Sequence, residues 1–114
     1  MIGAFHPCWS CEGHNDAQGR LNKKPAVWFY ASSVVHIRAL ASALDRMLHR
    51  GRLKAHWQVA VTHTDRGNPD VTFSLEPAGD GHAPLDVLQS DLRTMADDLQ
   101  SSYRAACDDL AATC

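Results

Sequence analysis

No stretch of this 114-residue chain approaches the ~20 consecutive apolar residues that a membrane-spanning helix needs. Its N-terminus has no basic segment leading into a long apolar one, so nothing there reads as a secretory leader. A large charge of one sign is missing too. Eleven Lys and Arg against 13 Asp and Glu leave a formal net charge of −2, which draws the whole chain neither to nucleic acid nor to an anionic membrane. No internal repeat or low-complexity tract argues for a repeat array. A chain of this length buries roughly two-thirds of its unfolded surface, enough for one core. We therefore expect a single cytoplasmic domain that makes no use of a membrane.

Cysteine is scarce, with four in all, and two pairs can be told apart. In a reducing cytoplasm such residues serve as ligands or small buried side chains more readily than as a disulfide framework. Cys107 and Cys114 lie on one helical pattern, about 10.5 Å apart along its axis, too far for a disulfide within it. They read as residues without chemistry. Cys8 and Cys11 stand instead in His6-Pro7-Cys8-Trp9-Ser10-Cys11-Glu12-Gly13-His14, which concentrates two cysteines and two histidines in nine residues. A CxxC step lets two thiolates turn toward one point, and a histidine three residues on adds a nitrogen there, so the segment predicts a tetrahedral zinc site.

Past this cluster, 15–25 is polar and carries Gly19 and Pro25, the composition of a loop or a weak edge strand. The apolar run Ala26-Val27-Trp28-Phe29-Tyr30-Ala31 predicts an interior strand. Ser32 or Ser33 can cap the helix that follows, whose apolar residues from Ile37 to Leu48 recur at helical spacing until Gly51 stops it. Alternation over 57–63 and again over 71–76, with turn residues between, predicts a hairpin. From Pro84 the apolar residues Leu85, Leu88, Leu92, Met95, Leu99, Tyr103, Ala106 and Leu110 step by threes and fours, predicting one long C-terminal helix.

The order strand-helix-strand-strand-helix predicts an α+β two-layer sandwich. Its small mixed sheet has its first two strands joined in parallel by a right-handed crossover and both helices on one face. Residues 1–25 are expected to form a metal-binding segment and loop beside an α+β unit at 26–114, the whole being one domain. At ~28 residues the last helix would span about 42 Å, longer than the strands can cover, so its distal half is expected to need another partner, most simply a second copy in a homodimer.

This topology suggests the remaining zinc ligands. Strands one and two end at one sheet edge, which places His36 and His63 there, and the 15–25 loop is long enough to bring the cysteines to the same edge. The expected ligand set is Cys8, Cys11, His14 and His63, with His36 as the alternative nitrogen. A closed set of four protein ligands is structural, whereas three plus water leaves Lewis-acid chemistry open. The expectation is a small zinc-binding interaction or regulatory protein rather than an enzyme.

Two further chemistries compete. Thiol redox work by the CxxC would be favoured if the motif opened a helix, but Glu12-Gly13-His14-Asn15-Asp16 reads as a turn. A metal-dependent hydrolase or nuclease could use His63, Asp65, Asp70 and Glu76 around the hairpin, although the Asp, Asn, Gly and Pro there are more simply turn residues. A zinc deaminase is excluded: Pro7-Cys8-Trp9-Ser10-Cys11 fits half of its motif, but no HxE occurs anywhere in the chain. Arg46, Arg50, Arg52 and Lys54, with Trp57 beside them, form a basic patch that could meet nucleic acid. The same patch could equally meet the aspartates of the last helix, in this molecule or in a protein partner.

Overall fold

Four strands and two long helices build the domain, and a two-stranded ribbon is set against them. The computed structural model describes residues 5–31, 33–62, 72–79 and 83–113, the side chains of 6–9 and 110–113 excepted. The elements are β1 (Phe5–Cys11), β2 (His14–Asn15), β3 (Leu21–Lys23), β4 (Ala26–Ala31), α1 (Val34–His49), β5 (Trp57–Thr62), β6 (Thr72–Pro77) and α2 (Leu85–Thr113). The main sheet has the order β1-β4-β6-β5, with β2 and β3 paired separately.

Helix α1 begins and ends, and α2 begins, where their residues direct. Ser33 caps α1, its hydroxyl accepting the Val35 N–H at 3.1 Å. At the other end Gly51 takes φ +72°, while the Gly51 and Arg52 amides return to the carbonyls of Leu48 and Met47, the Schellman arrangement. Helix α2 starts just after Pro84, whose carbonyl accepts the Leu88 N–H, and it runs to Thr113 as one element.

The α+β class is as expected, and one face of the sheet packs against the helices. That face carries Phe5, Phe29, Phe73 and Leu75, buried with Leu40, Leu44 and Met47 of α1 and Leu88, Met95 and Tyr103 of α2. Phe5 meets Phe29 edge-on at 5.3 Å, and Phe29 stacks on Phe73 at 6.0 Å. Among the described residues no helix is long and apolar enough to cross a membrane.

The sheet itself departs from expectation in two ways. It is antiparallel throughout, not mixed, because the hairpin docks on β4 through β6 and leaves β5 at the edge. Strands β4 and β5 do run the same way, but β6 stands between them. The physical reason is burial: Thr72, Phe73, Ser74, Leu75 and Pro77 are all buried, whereas β5 leaves Gln58 and Val61 exposed and fits an edge. Second, the cysteine segment is a strand of the sheet. Strand β1 pairs with β4 from Phe5↔Ala31 to Cys11↔Ala26, and Phe5 joins the core.

The long helix also finds its cover within the chain. Its distal half packs on α1, with Tyr103 and Ala106 buried and Asp109 paired with Arg46, so length alone no longer calls for a second copy.

Candidate metal centre

The sharpest feature of the N-terminal cluster is a tight turn between β1 and β2. Cys11 Sγ lies 3.7 Å from His14 Nε2, and the Gly13 N–H donates to the same sulfur at 3.4 Å. Two ligands of one tetrahedral zinc, at about 2.3 Å for sulfur and about 2.0–2.1 Å for nitrogen, would stand about 3.6 Å apart. The Cys11–His14 pair has that separation. Both residues are accessible enough to receive an ion from solvent, Cys11 being half-buried and His14 exposed.

Gly13 makes the turn possible. It is buried with φ +88°, and a Cβ there would fall 2.7 Å from Leu85 Cδ1 and 2.9 Å from both the Lys23 carbonyl oxygen and Pro25 Cδ. The turn is thus clamped between the β3–β4 link and the first turn of α2. The Glu12 carbonyl accepts the Gln89 side-chain amide at 3.2 Å, a second tie to the same helix.

Of the other expected ligands, only His36 lies among the described side chains. Cys8 belongs to β1 by its backbone, and the β1–β4 register shifts between Pro7 and Trp9, so Cys8 is the extra residue of a bulge; its side chain lies outside the described residues. His63 also lies outside them. Its chain neighbour Thr62 ends β5, three strands across and four register positions along from Cys11, about 20 Å away at 4.8 Å per strand and 3.4 Å per residue. The expected edge is the one where β4 and β5 end, but β1 runs antiparallel to β4 and carries Cys11 to the opposite edge.

His36 is at that far edge as well, with Nδ1 3.0 Å from the Tyr103 hydroxyl and its ring edge-on to Phe5 at 6.3 Å. The five residue steps from Ala31 to Ala26 separate the Phe5 and Cys11 ends of β1 by about 17 Å. Among the described residues no three His, Cys, Asp or Glu side chains come together as a metal site. Of the expected ligands, the described residues bring together two, Cys11 and His14.

The competing chemistries fare as follows. The CxxC lies in a strand and opens no helix, so the helix N-terminus that would stabilise a thiolate is missing. Of the hairpin residues, His63, Asp65 and Asp70 lie outside the described residues, and Glu76 is half-buried on β6 opposite Gln58.

Two of the four cations of the basic patch pair with aspartates of α2. Arg46 pairs with Asp109 and Arg52 with Asp98. Lys54 contributes its backbone N–H to Asp91, and Arg50 is exposed at the C-cap of α1. Trp57 is 5% exposed and donates its indole N–H to Asp91 at 2.9 Å, so it presents no face on which a base could stack. For Arg46 and Arg52 the contacts are intramolecular.

Asp91 was not singled out from sequence, yet it is the most heavily used polar side chain here. It is 2% exposed, and its two oxygens accept N–H groups from Lys54, Ala55 and Trp57, each at 2.9 Å. This carboxylate ties α2 to the turn between α1 and β5.

Tyr103 forms a smaller polar cluster with His36 and Cys107. Burial pushes its phenol up from 10.0 to about 12, and the adjacent Cys107 adds to the shift through a hydrogen bond and through the negative charge its sulfur carries as a thiolate. A raised folded-state value means the folded chain holds this proton where the unfolded chain has released it. The stabilisation is therefore intact below pH 10 and is lost as pH rises toward 12. Absorbance titration of the phenolate should show a step near 12 that Tyr103→Phe removes.

No family model, curated protein or solved structure matches the chain. Its function must be read from its own residues.

Proposed function

We propose that the chain is a small zinc-binding protein that works by binding rather than by catalysis, with Cys8, Cys11 and His14 as its own ligands. The observation that supports this is the 3.7 Å between Cys11 Sγ and His14 Nε2 across a turn that a buried glycine holds in shape. In this reading zinc joins the end of β1 to the start of β2 and stiffens the turn against α2.

The fourth ligand comes from a second copy. Thr62 lies about 20 Å from the Cys11 end of the sheet, so His63 serves a partner's zinc rather than its own. A two-fold dimer makes such an exchange reciprocal. The sheet face turned away from the helices offers a surface for it, with Trp28 37% exposed there. The shortest dimension of the molecule, 21 Å, corresponds to one sheet and one helix layer.

Zinc titration followed by elemental analysis and light scattering tests this. We expect one zinc per chain and a zinc-dependent dimer. Loss of an outer hydrogen-bond partner of a ligand already costs about 10–100-fold in affinity, so Cys11→Ser should cost at least about 100-fold. His63→Ala should yield a monomer that still holds zinc more weakly, and His36→Ala should change neither. Full zinc occupancy in Cys11→Ser would sink the assignment, and a zinc-loaded monomer would sink the exchange of His63.

A further inference from the structure

Among the ties that hold helix α2 to the rest of the fold are Asp91, on the turn before β5, and Tyr103, whose ring meets Phe5 edge-on at 5.4 Å. Between these points the helix stands off the sheet. Leu92, Met95 and Leu99 face Val27, Phe29 and Leu75 across a cavity of about 380 Å³.

From this we infer that the cavity is a binding site for a small amphiphile, an acyl chain of medium length whose apolar body lies between α2 and the sheet. Three observations converge. The cavity has the volume of about a dozen water molecules, but each buried water needs two to four polar partners. Among the described residues, Gln100 alone is polar in the lining. Water is therefore a poor occupant, and an apolar group is a good one.

Size argues against a helix from a protein partner. One helical turn, about 10 Å across and 5.4 Å high, fills more than about 420 Å³. The space instead falls within the roughly 300–1,000 Å³ range of small-molecule pockets.

The polar end of the ligand has its own place. A second hollow of about 320 Å³ shares Leu92 and Ala96 with the first and is lined otherwise by Glu12, Gln89 and Arg93. Arg93 is exposed, with no ion pair among the described residues. An amphiphile with its chain in the apolar cavity would bring a carboxylate to this guanidinium.

The test uses decanoate and decanol as probes on the full chain, read by calorimetric titration and thermal melting. Both should bind at one per chain and raise the melting temperature. Ala96→Trp, which fills the junction of the two hollows, should weaken both at least tenfold while keeping a cooperative melt. Arg93→Gln should weaken decanoate several-fold and leave decanol unchanged. Cys11→Ser should bind both as the wild type does, which separates this site from the zinc reading.

No binding of either probe at millimolar concentration overturns the proposal. So does binding that Ala96→Trp does not affect, because the ligand is then elsewhere. A dimer that Ala96→Trp dissociates, with no effect of decanoate, would assign the cavity to a second copy and overturn it equally.

Discussion

Asp91→Ala should destabilise the fold by about 4 kcal/mol, the largest loss expected from any single substitution outside the apolar core. The carboxylate is buried to 2% and accepts three N–H groups, two from backbone and one from an indole. Hydrogen bonds to a charged group contribute about 1.5–3 kcal/mol each, and donors left buried and unpaired cost about 1–3 kcal/mol apiece. These do not add in full, because the 53–57 turn can relax and let water reach Lys54 and Ala55. The Trp57 indole, on a 5% exposed side chain, has less room to do so.

Asp91→Asn separates charge from shape. It keeps one carbonyl oxygen but sets an amide donor against N–H groups, so it should recover only part of the loss. Urea unfolding monitored by tryptophan fluorescence would measure both. At roughly 4–5 °C per kcal/mol for a domain of this size, Asp91→Ala should melt some 15–20 °C below the wild type. A change below about 1 kcal/mol would mean that the three contacts do not hold in solution.

The role of Asp91 was legible in the sequence in one respect. It stands in the apolar stripe of α2, three residues after Leu88 and four before Met95, where a charge needs partners. Grouping it with the other aspartates of that helix hid this signal. Asp98 and Asp109 do take the arginines of α1 and the turn after it, as charge complementarity suggested. Ser33, Gly51 and Pro84 marked their helix ends because each acts through its own backbone or side chain, with no help from distant residues.

Strand order was not legible in the same way. The crossover rule concerns neighbouring parallel strands, and nothing local says whether β5 or β6 of the hairpin will dock on β4. A subtler signal was present: Thr72 and Ser74 are small, and small residues suit a central strand crowded on both faces. Strand β1 escaped notice because Pro7 and the bulge at Cys8 break the two-residue alternation. Its edge position is where a strand tolerates proline. Missing β1 had a direct consequence for the site, since its direction carries Cys11 away from the His36 end of the sheet.

Gly13→Ala is the second large effect we expect, about 3 kcal/mol in stability together with at least a tenfold loss in zinc affinity. A left-handed backbone costs a non-glycine residue roughly 1–2 kcal/mol, and φ at Gly13 is +88°. Crowding adds to this. Leu85 Cδ1, at 2.7 Å from the added Cβ, ends a flexible side chain and can yield, but the Lys23 carbonyl and the Pro25 ring, each at 2.9 Å, belong to rigid groups. Overpacking of this kind typically costs about 1–3 kcal/mol.

Gly19→Ala supplies the control, because Gly19 has φ +79° but nothing within 4 Å of an added Cβ. It should show the backbone cost alone, about 1 kcal/mol, and keep its zinc. The difference between the two variants in urea unfolding isolates the close approach of the turn to α2 and Pro25. If they lose equal stability, the turn is not clamped. If Gly13→Ala is destabilised but binds zinc normally, the geometry of Cys11 and His14 does not depend on that clamp, and the metal site must be held by β1 and β2 themselves.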